Sequence, residues 1–347
     1  MGKAEKIAAF DPDGAGNRES GIFGLPFTEE EADIIVLPVA WDVTVSYGDG
    51  TVEGPETVVA ASPQLDFLDE DYGEVWRHGI ALASGMDQLE STSRALRSTA
   101  TRVIDHLELG GKPSDPELAP WLSKVNMGCR DMVAHVEERA ANLLAAGKKV
   151  VLLGGDHSTP LGFMKALARH HGDYGILQID AHMDLRVAYE GFTYSHASIM
   201  YNALQLPQVT RLVQVGIRDY CASEQALAAD ERGRVFVHTG RALARERFAG
   251  TNWAAICDKI VADLPAKVYI SFDIDGLEPF LCPNTGTPVA GGLGYEEVMY
   301  LLDSVGRSGR QVIGADLVEV APGPEGDWDG NVGARILYRL CGMVARS

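Results

Sequence analysis

Short apolar runs bounded by Gly, Asp and Pro alternate along the chain with longer segments whose apolar positions recur at helical spacing. Seven runs read as strands: Ile34–Val39, Val150–Leu153, Gly175–Ile179, Leu212–Val215, Val235–Val237, Val268–Phe272 and Val312–Leu317. They are rich in Val and Ile and mostly apolar on both faces, as strands covered by helices above and below must be. Between them Ser91–Leu107, Val125–Ala146, Leu161–Arg169, Trp253–Ala262, Tyr295–Gly306 and Gly333–Val344 read as helices. In the second of these, Val133, Val136, Ala140 and Leu143 share one face, opposite Asp131, His135, Glu138 and Asn142. The alternation predicts a mostly parallel sheet in a layered α/β fold. One stretch breaks it. From Trp76 to about Asn126, helix-forming segments flank a Gly/Pro-rich link at 110–116, and residues 76–126 read as a helical insertion in the same domain.

A length of 347 residues suits one large α/β domain spanning residues 1–347. With 46% apolar and 23% charged residues the chain can bury a sizeable core, so long disorder is not expected. No apolar run is long enough to span a bilayer, and the N-terminal MGKAEKIAAFDPDG lacks a secretory pattern; a cytoplasmic location is expected. A net charge of −19 with no basic block excludes a general nucleic-acid binder and favours the approach of cationic small molecules. The five cysteines, Cys129, Cys221, Cys257, Cys282 and Cys341, are odd in number and contain no CxxC pair, which suits reduced thiols.

The chemistry sits at three strand ends. These are Gly154-Gly155-Asp156-His157-Ser158, Asp180-Ala181-His182-Met183-Asp184 and Asp273-Ile274-Asp275-Gly276. In open parallel sheets ligands bind beyond the carboxyl ends of strands, so three such ends can converge. In Asp-x-His-x-Asp on extended backbone, positions two apart point the same way. A lone Asp-x-Asp is usually a turn or cap, and Gly-Gly-Asp-His-Ser alone reads as well as a tight turn. Together they supply four carboxylates and two imidazoles, which would repel one another unless cations lay between them. That donor set suits two divalent ions, Mn²⁺ first, with Ni²⁺, Fe²⁺ or Co²⁺ behind it.

These motifs resemble those of the ureohydrolase family: arginases, agmatinases, guanidinobutyrases, formiminoglutamases and guanidine hydrolases. The resemblance runs from Val43-Thr44-Val45-Ser46-Tyr47-Gly48-Asp49-Gly50-Thr51, similar to a loop at that family's active-site mouth, through Thr285-Gly286-Thr287-Pro288 to Asp316-Leu317-Val318-Glu319-Val320. It implies a three-layer α/β/α sandwich around an eight-stranded parallel sheet, assembled as trimers or hexamers. By motif it places one ion on His157, Asp180, Asp184 and Asp273, and a second on His182, Asp180, Asp273 and Asp275. It implies hydrolysis of a guanidino group to urea and an amine, with Asp184 orienting the attacking water and moving its proton. Glu319 would pair with the guanidinium, and His196 would pass protons to the leaving amine. Glu278 stands where the family commonly has Asp, a position that is not a ligand. The remaining histidines, His78, His106, His135, His170, His171 and His238, read as structural or surface residues.

The loop Ala188–His196 lacks the Ser-Gly-Asn pattern of arginases and is more similar to that of agmatinases, which implies agmatine as substrate, split to putrescine and urea. Guanidine and guanidino acids are the alternatives, with Tyr189, Phe192 and Tyr194 able to shape a smaller pocket. A metal-dependent deacetylase and a silent partner subunit are remote readings, because all six ligand positions are intact.

Overall fold

The apolar runs pair into one sheet, since strands buried on both faces satisfy their backbone groups only against each other. The structure is a computed structural model describing residues 2–231, 233–324 and 326–346. Its strands are β1 (Ile34–Val39), β2 (Ile80–Leu82), β3 (Lys149–Gly154), β4 (Tyr174–Ile179), β5 (Val209–Val215), β6 (Val235–His238), β7 (Lys267–Asp273) and β8 (Gln311–Val318). All eight are parallel, in the order β2-β1-β3-β8-β7-β4-β5-β6. The helices around them are α1 (Lys3–Ala9), α2 (Gly54–Ala61), α3 (Gln88–Glu108), α4 (Ala119–Ala145), α5 (Leu161–His171) and α6 (Ile199–Leu204). They continue with α7 (Ala222–Asp230), α8 (Gly240–Phe248), α9 (Trp253–Ala262), α10 (Tyr295–Arg307) and α11 (Trp328–Arg346). The result is a three-layer α/β/α sandwich. Helices α3, α4 and α5 pack together, as do α2 with α11 and α9 with α10.

Topology places the functional end. β3, β8, β7 and β4 are consecutive neighbours at the middle of the sheet. The register aligns Leu153 with Leu317, Asp273 with Val318, and Ile179 with Phe272, so the four strands finish at nearly the same level. β4 and β8 are buried along their lengths except for Gln311, which fixes their register strongly.

The seven strands expected from the sequence are all present. The eighth, β2, lies inside the segment 76–126 that reads as helical, so that segment supplies the sheet's edge as well as α3 and the start of α4. Three residues are too few for a periodic signal, and an edge strand is half as constrained by pairing. Helix α4 begins at Ala119, earlier than expected, because Pro120 is tolerated in a first turn. The short α1, α2, α6, α7 and α8 carry no sustained apolar stripe and escape the pattern. The five cysteines are unpaired. Among the described residues no helix is long and apolar enough to cross a membrane.

A buried charge ties α11 to the loop before β2. Arg339 is 7% exposed, donates to Asp69 at 2.6 Å and to Asp71, and lies 4.8 Å over the Tyr72 ring. Replacing it with Met strands two carboxylates against an apolar surface. Arg339→Met is expected to destabilise the fold by about 2–3 kcal/mol, less than a fully buried pair because Asp71 keeps access to water. A thermal melt measures it; an unchanged melting temperature would show the cluster to be superficial.

Candidate metal centre and substrate cavity

Beyond β3 the backbone runs on beside the segment that follows β1. Gly155 N donates to Val39 O and Asp156 N to Trp41 O, both at 2.8 Å. A Cβ on Gly155 would sit 2.1 Å from Trp41 O, so only glycine permits the approach. This delivers His157 to the sheet's carboxyl edge, 1% exposed. After β4, Asp180 N still pairs with Val215 O (3.1 Å), leaving the carboxylate buried over the same edge. At the end of β7, Asp275 N donates to Asp273 Oδ1 (2.8 Å), which sets both acids in one short turn. After β8, Glu319 N donates to Gly155 O (2.8 Å) and the chain then turns sharply. Asp184 and Glu319 both sit in the left-handed region, at φ 55° and 63°, a strained geometry for side chains without a local excuse.

The convergence is close. His157 Nδ1 lies 3.0 Å from Asp180 Oδ2, 3.0 Å from Asp184 Oδ2 and 3.2 Å from Asp273 Oδ2. His182 Nδ1 lies 3.1 Å from Asp275 Oδ2 and 3.6 Å from Asp180 Oδ1. Ligand atoms of His157, Asp180 and Asp273 form one compact group, and those of Asp180, His182 and Asp275 another, with Asp180 common to both.

The donor chemistry fits two cations. His157 Nε2 is 2.9 Å from the Ser271 hydroxyl, and the tautomer that donates there leaves the Nδ1 lone pair facing three carboxylates. That nitrogen is buried and has no hydrogen-bond partner. Lone pairs facing lone pairs in a dry pocket require a positive charge between them. Burial and the mutual repulsion of the acids act in the same sense. Burial, then Asp275 and Asp180, pushes the Asp273 carboxyl well above its usual range. Burial and Asp180 push Asp184 up to about 7. Burial alone would lower His182, but Asp275 and Asp180 push it up to about 12.

Behind the cluster, Asp316 accepts from Phe272 N (3.1 Å) and the Tyr269 hydroxyl (2.5 Å), beside Ser271 in the register. Gln178 Nε2 donates to Asp180 Oδ2 at 2.7 Å. Such outer contacts hold ligand side chains in one orientation.

A cavity of about 360 Å³ opens over this centre. His157, His182, Asp184, Asp273 and Glu319 form its floor, and Ser46, Arg186, Tyr189, His196, Asp219, Glu224 and Thr287 line the remainder. Glu319 is 4% exposed and accepts from His157 N–H (2.8 Å); burial and the Asp156 carboxylate hold it well above the usual acid range. His196 Nδ1 is 3.3 Å from the Ser195 hydroxyl, its backbone N–H donates to Thr44 Oγ1 (3.4 Å), and burial with the neighbouring histidines pushes its imidazole down to about 3. Arg186 is occupied: its guanidinium lies 4.7 Å over the Tyr189 ring and its Nε 3.9 Å from Glu224.

Of the six expected ligand residues, His157, His182, Asp184 and Asp273 line the cavity with His196 and Glu319, while Asp180 and Asp275 reach the two histidines without lining it. The loop 43–51 contributes Ser46 to the wall, and Thr287 comes from the Thr285–Pro288 segment. Of the three aromatics expected to narrow the pocket, only Tyr189 lines it; Phe192 is fully buried in the core and Tyr194 packs against that core. The spacing of the loop hides this, because a turn at Glu190-Gly191 reverses the chain between them. His106, His135 and His238 are engaged elsewhere, with Asp115, Gly85 O and Asp263. Sequence reasoning missed Ser271, Asp316, Arg186, Asp219 and Glu224. Ser271 is a strand residue just outside its motif, Asp316 opens the quoted segment 316–320 without a role attached to it, and Asp219 and Glu224 belong to a different segment of chain.

Two clusters of imidazole and carboxylate ligands sharing an acid, at the carboxyl edge of a parallel α/β sheet and beneath a cavity, define a binuclear metal-dependent hydrolase. The Arginase family model matches residues 32–342, nearly the whole chain. The N(1)-aminopropylagmatine ureohydrolase of Thermus thermophilus is 32% identical over 321 residues, covering 90% of this chain and 91% of that one. An agmatinase of Neisseria meningitidis is 30% identical over 297 residues, covering 85% and 81%. The agmatine ureohydrolase of Thermoplasma volcanium shares the fold with a TM-score of 0.69 at 22% identity, over 99% of this chain and 98% of its own. The proclavaminate amidino hydrolase of Streptomyces clavuligerus does so with a TM-score of 0.71 at 22% identity, over 95% and 99%. The chain belongs to the arginase family. It is a ureohydrolase, cleaving a guanidino group to urea and an amine, and the deacetylase and silent-subunit readings have no support.

Proposed function

We propose that the substrate is agmatine, hydrolysed to putrescine and urea. One ion is assigned to His157, Asp180, Asp184 and Asp273, and the other to His182, Asp180, Asp273 and Asp275, with manganese as the metal because oxygen donors outnumber nitrogen. The observation that carries the substrate is Asp219. Its carboxylate stands exposed at the cavity and makes no hydrogen bond or ion pair among the described residues, whereas the one cationic wall residue, Arg186, is held by Tyr189 and Glu224. A free anion opposite an occupied cation selects a substrate tail bearing an ammonium, not a carboxylate. A cavity of about 360 Å³, walled by Tyr189 and by Tyr220 beside Asp219, leaves room for a four-carbon tail, which argues against free guanidine.

Bound divalent ions would supply a water acidic enough to act as nucleophile at neutral pH. The protein's own groups do the rest. Glu319 accepts hydrogen bonds from the planar guanidinium and fixes its plane over the centre. Asp184 takes the proton that the attacking water loses as the new C–O bond forms. That proton passes to the alkyl nitrogen and the C–N bond breaks; neutral His196 then carries the remaining hydroxyl proton from the urea carbon's oxygen to the departing amine, which leaves as an ammonium beside neutral urea.

N(1)-aminopropylagmatine is a second reading, favoured by the names of several relatives and by the exposure of Asp219 at the open side of the cavity. The test is urea release by the manganese-loaded enzyme on agmatine, N(1)-aminopropylagmatine, guanidinobutyrate, arginine and guanidine. Agmatine is expected to lead; preference for either carboxylate-bearing compound would overturn the reading. Asp219→Asn is expected to raise KM for agmatine about threefold to tenfold, the worth of one exposed charge contact, and to leave kcat nearly unchanged. An unaltered KM would remove Asp219 from the substrate site.

A further inference from the structure

The wall residue Tyr189 is held by a turn that its own sequence does not favour. Tyr189 and Phe192 exchange both backbone hydrogen bonds, at 3.2 and 2.8 Å, around Glu190 and Gly191 at φ 55° and 85°. Two positive φ values in succession are the signature of a type I′ turn, which normally takes Asn or Asp at its first central position. Here that position is Glu190, with no short side chain to ease a left-handed backbone, and one of its carboxylate oxygens is buried without a partner. Something outside the turn must hold it.

That support comes from α4, 65 residues away in the chain. Asn126 Nδ2 donates to Gly191 O at 3.0 Å, and Asn126 Oδ1 accepts from Thr193 N at 2.8 Å. One side-chain amide thus pairs with two backbone groups of the turn, as an adjacent strand would. Leu122, one helical turn earlier, presses on the same point: a Cβ on Gly191 would lie 2.8 Å from its Cδ2, and 3.5 Å from Pro113 Cβ in the link before α4. The turn is gripped from its outer side, and its inner side presents the cavity wall.

Three cavity groups depend on it. The Tyr189 ring is itself wall; it carries the Arg186 guanidinium at 4.7 Å and stands edge-on to His196 at 6.2 Å. We propose that Asn126 is a positioning residue for substrate selection, locking the Tyr189–Phe192 turn and through it the ring that bounds the substrate tail. This gives the segment 76–126 a role in the reaction: its second helix reaches across to shape a cavity to which it contributes no lining residue. The proposal rests on the cavity being the guanidino site, but not on which guanidino compound fills it.

The experiment is a double-mutant cycle on the metal-loaded enzyme, with kcat and KM measured for every guanidino compound the wild type turns over. Asn126→Ala is expected to raise KM for the preferred substrate about tenfold, with a smaller change in kcat, and to alter the ratios of kcat/KM between compounds. Asn126→Asp keeps the acceptor for Thr193 N–H and should recover part of the loss; it carries the test if the alanine variant fails to fold. Because Asn126 acts through the ring, Asn126→Ala/Tyr189→Ala should be no worse than Tyr189→Ala alone. Additive losses in the double variant, unchanged substrate ratios, or a lowered metal content in Asn126→Ala would each overturn the proposal. A wild-type preference for a compound other than agmatine would instead sink the substrate reading, and the cycle would be read on that compound.

Discussion

Asp180→Asn is expected to abolish urea release, by about 10³-fold or more, and to empty both halves of the metal centre. Asp180 is the acid common to the two ligand groups, with one oxygen 3.0 Å from His157 Nδ1 and the other 3.6 Å from His182 Nδ1. An amide offers one neutral acceptor where a carboxylate offers two charged ones, and among the described residues no other carboxylate forms an ion pair with both imidazoles. Metal content by elemental analysis separates this outcome from simple unfolding, since the neutral variant relieves repulsion among four buried acids and should keep its far-ultraviolet spectrum. A variant that retained two ions per chain would show that Asp180 does not bridge them.

Glu319→Gln should have the next largest effect and the opposite metal signature. The Glu319 carboxyl group is buried, pushed well above its usual titration range, and among the described residues accepts only from the His157 N–H. A guanidinium entering the cavity supplies the positive charge that favours the ionised form of this acid, so a buried charge-assisted pair forms as the substrate binds. Removing that charge is expected to lower kcat/KM about 10²- to 10³-fold while leaving both metal ions and the melting temperature in place. Loss of metal in Glu319→Gln would move this residue from substrate binding into the metal centre.

How much of this was legible in the sequence depended on distance along the chain. His157, Asp180, His182, Asp184, Asp273 and Asp275 could be read because each motif occupies a few consecutive residues at the end of a buried apolar run. Alternation then dictated which side chains share a face. Ser271 was hidden because it sits inside such a run, where a serine breaks no pattern. Asp219 and Asn126 were hidden for another reason: each reaches the site from a separate element, and nothing local distinguishes it from any surface Asp or Asn. β2 was lost to its own brevity. The left-handed φ of Glu190 and Glu319 had no signal at all, since glutamate does not announce a positive φ, and Asp184, of a type that tolerates one, sat in a motif that asked for extended backbone.

The position of β8 bears on how the molecule is made. This strand, at Gln311–Val318, is followed only by α11, yet it lies between β3 and β7 at the centre of the sheet. Until it leaves the ribosome, the growing chain has two half-sheets, β2-β1-β3 and β7-β4-β5-β6, with no strand to join them. His157 belongs to the first half, and Asp180, His182, Asp184, Asp273 and Asp275 to the second. The nascent protein therefore exposes two unpaired strand edges from the completion of β4 until β8 emerges, a hazard for association between neighbouring chains. Capture of metal by a complete ligand set becomes a late step, able to act only after β8, which follows every ligand-bearing segment, has been translated.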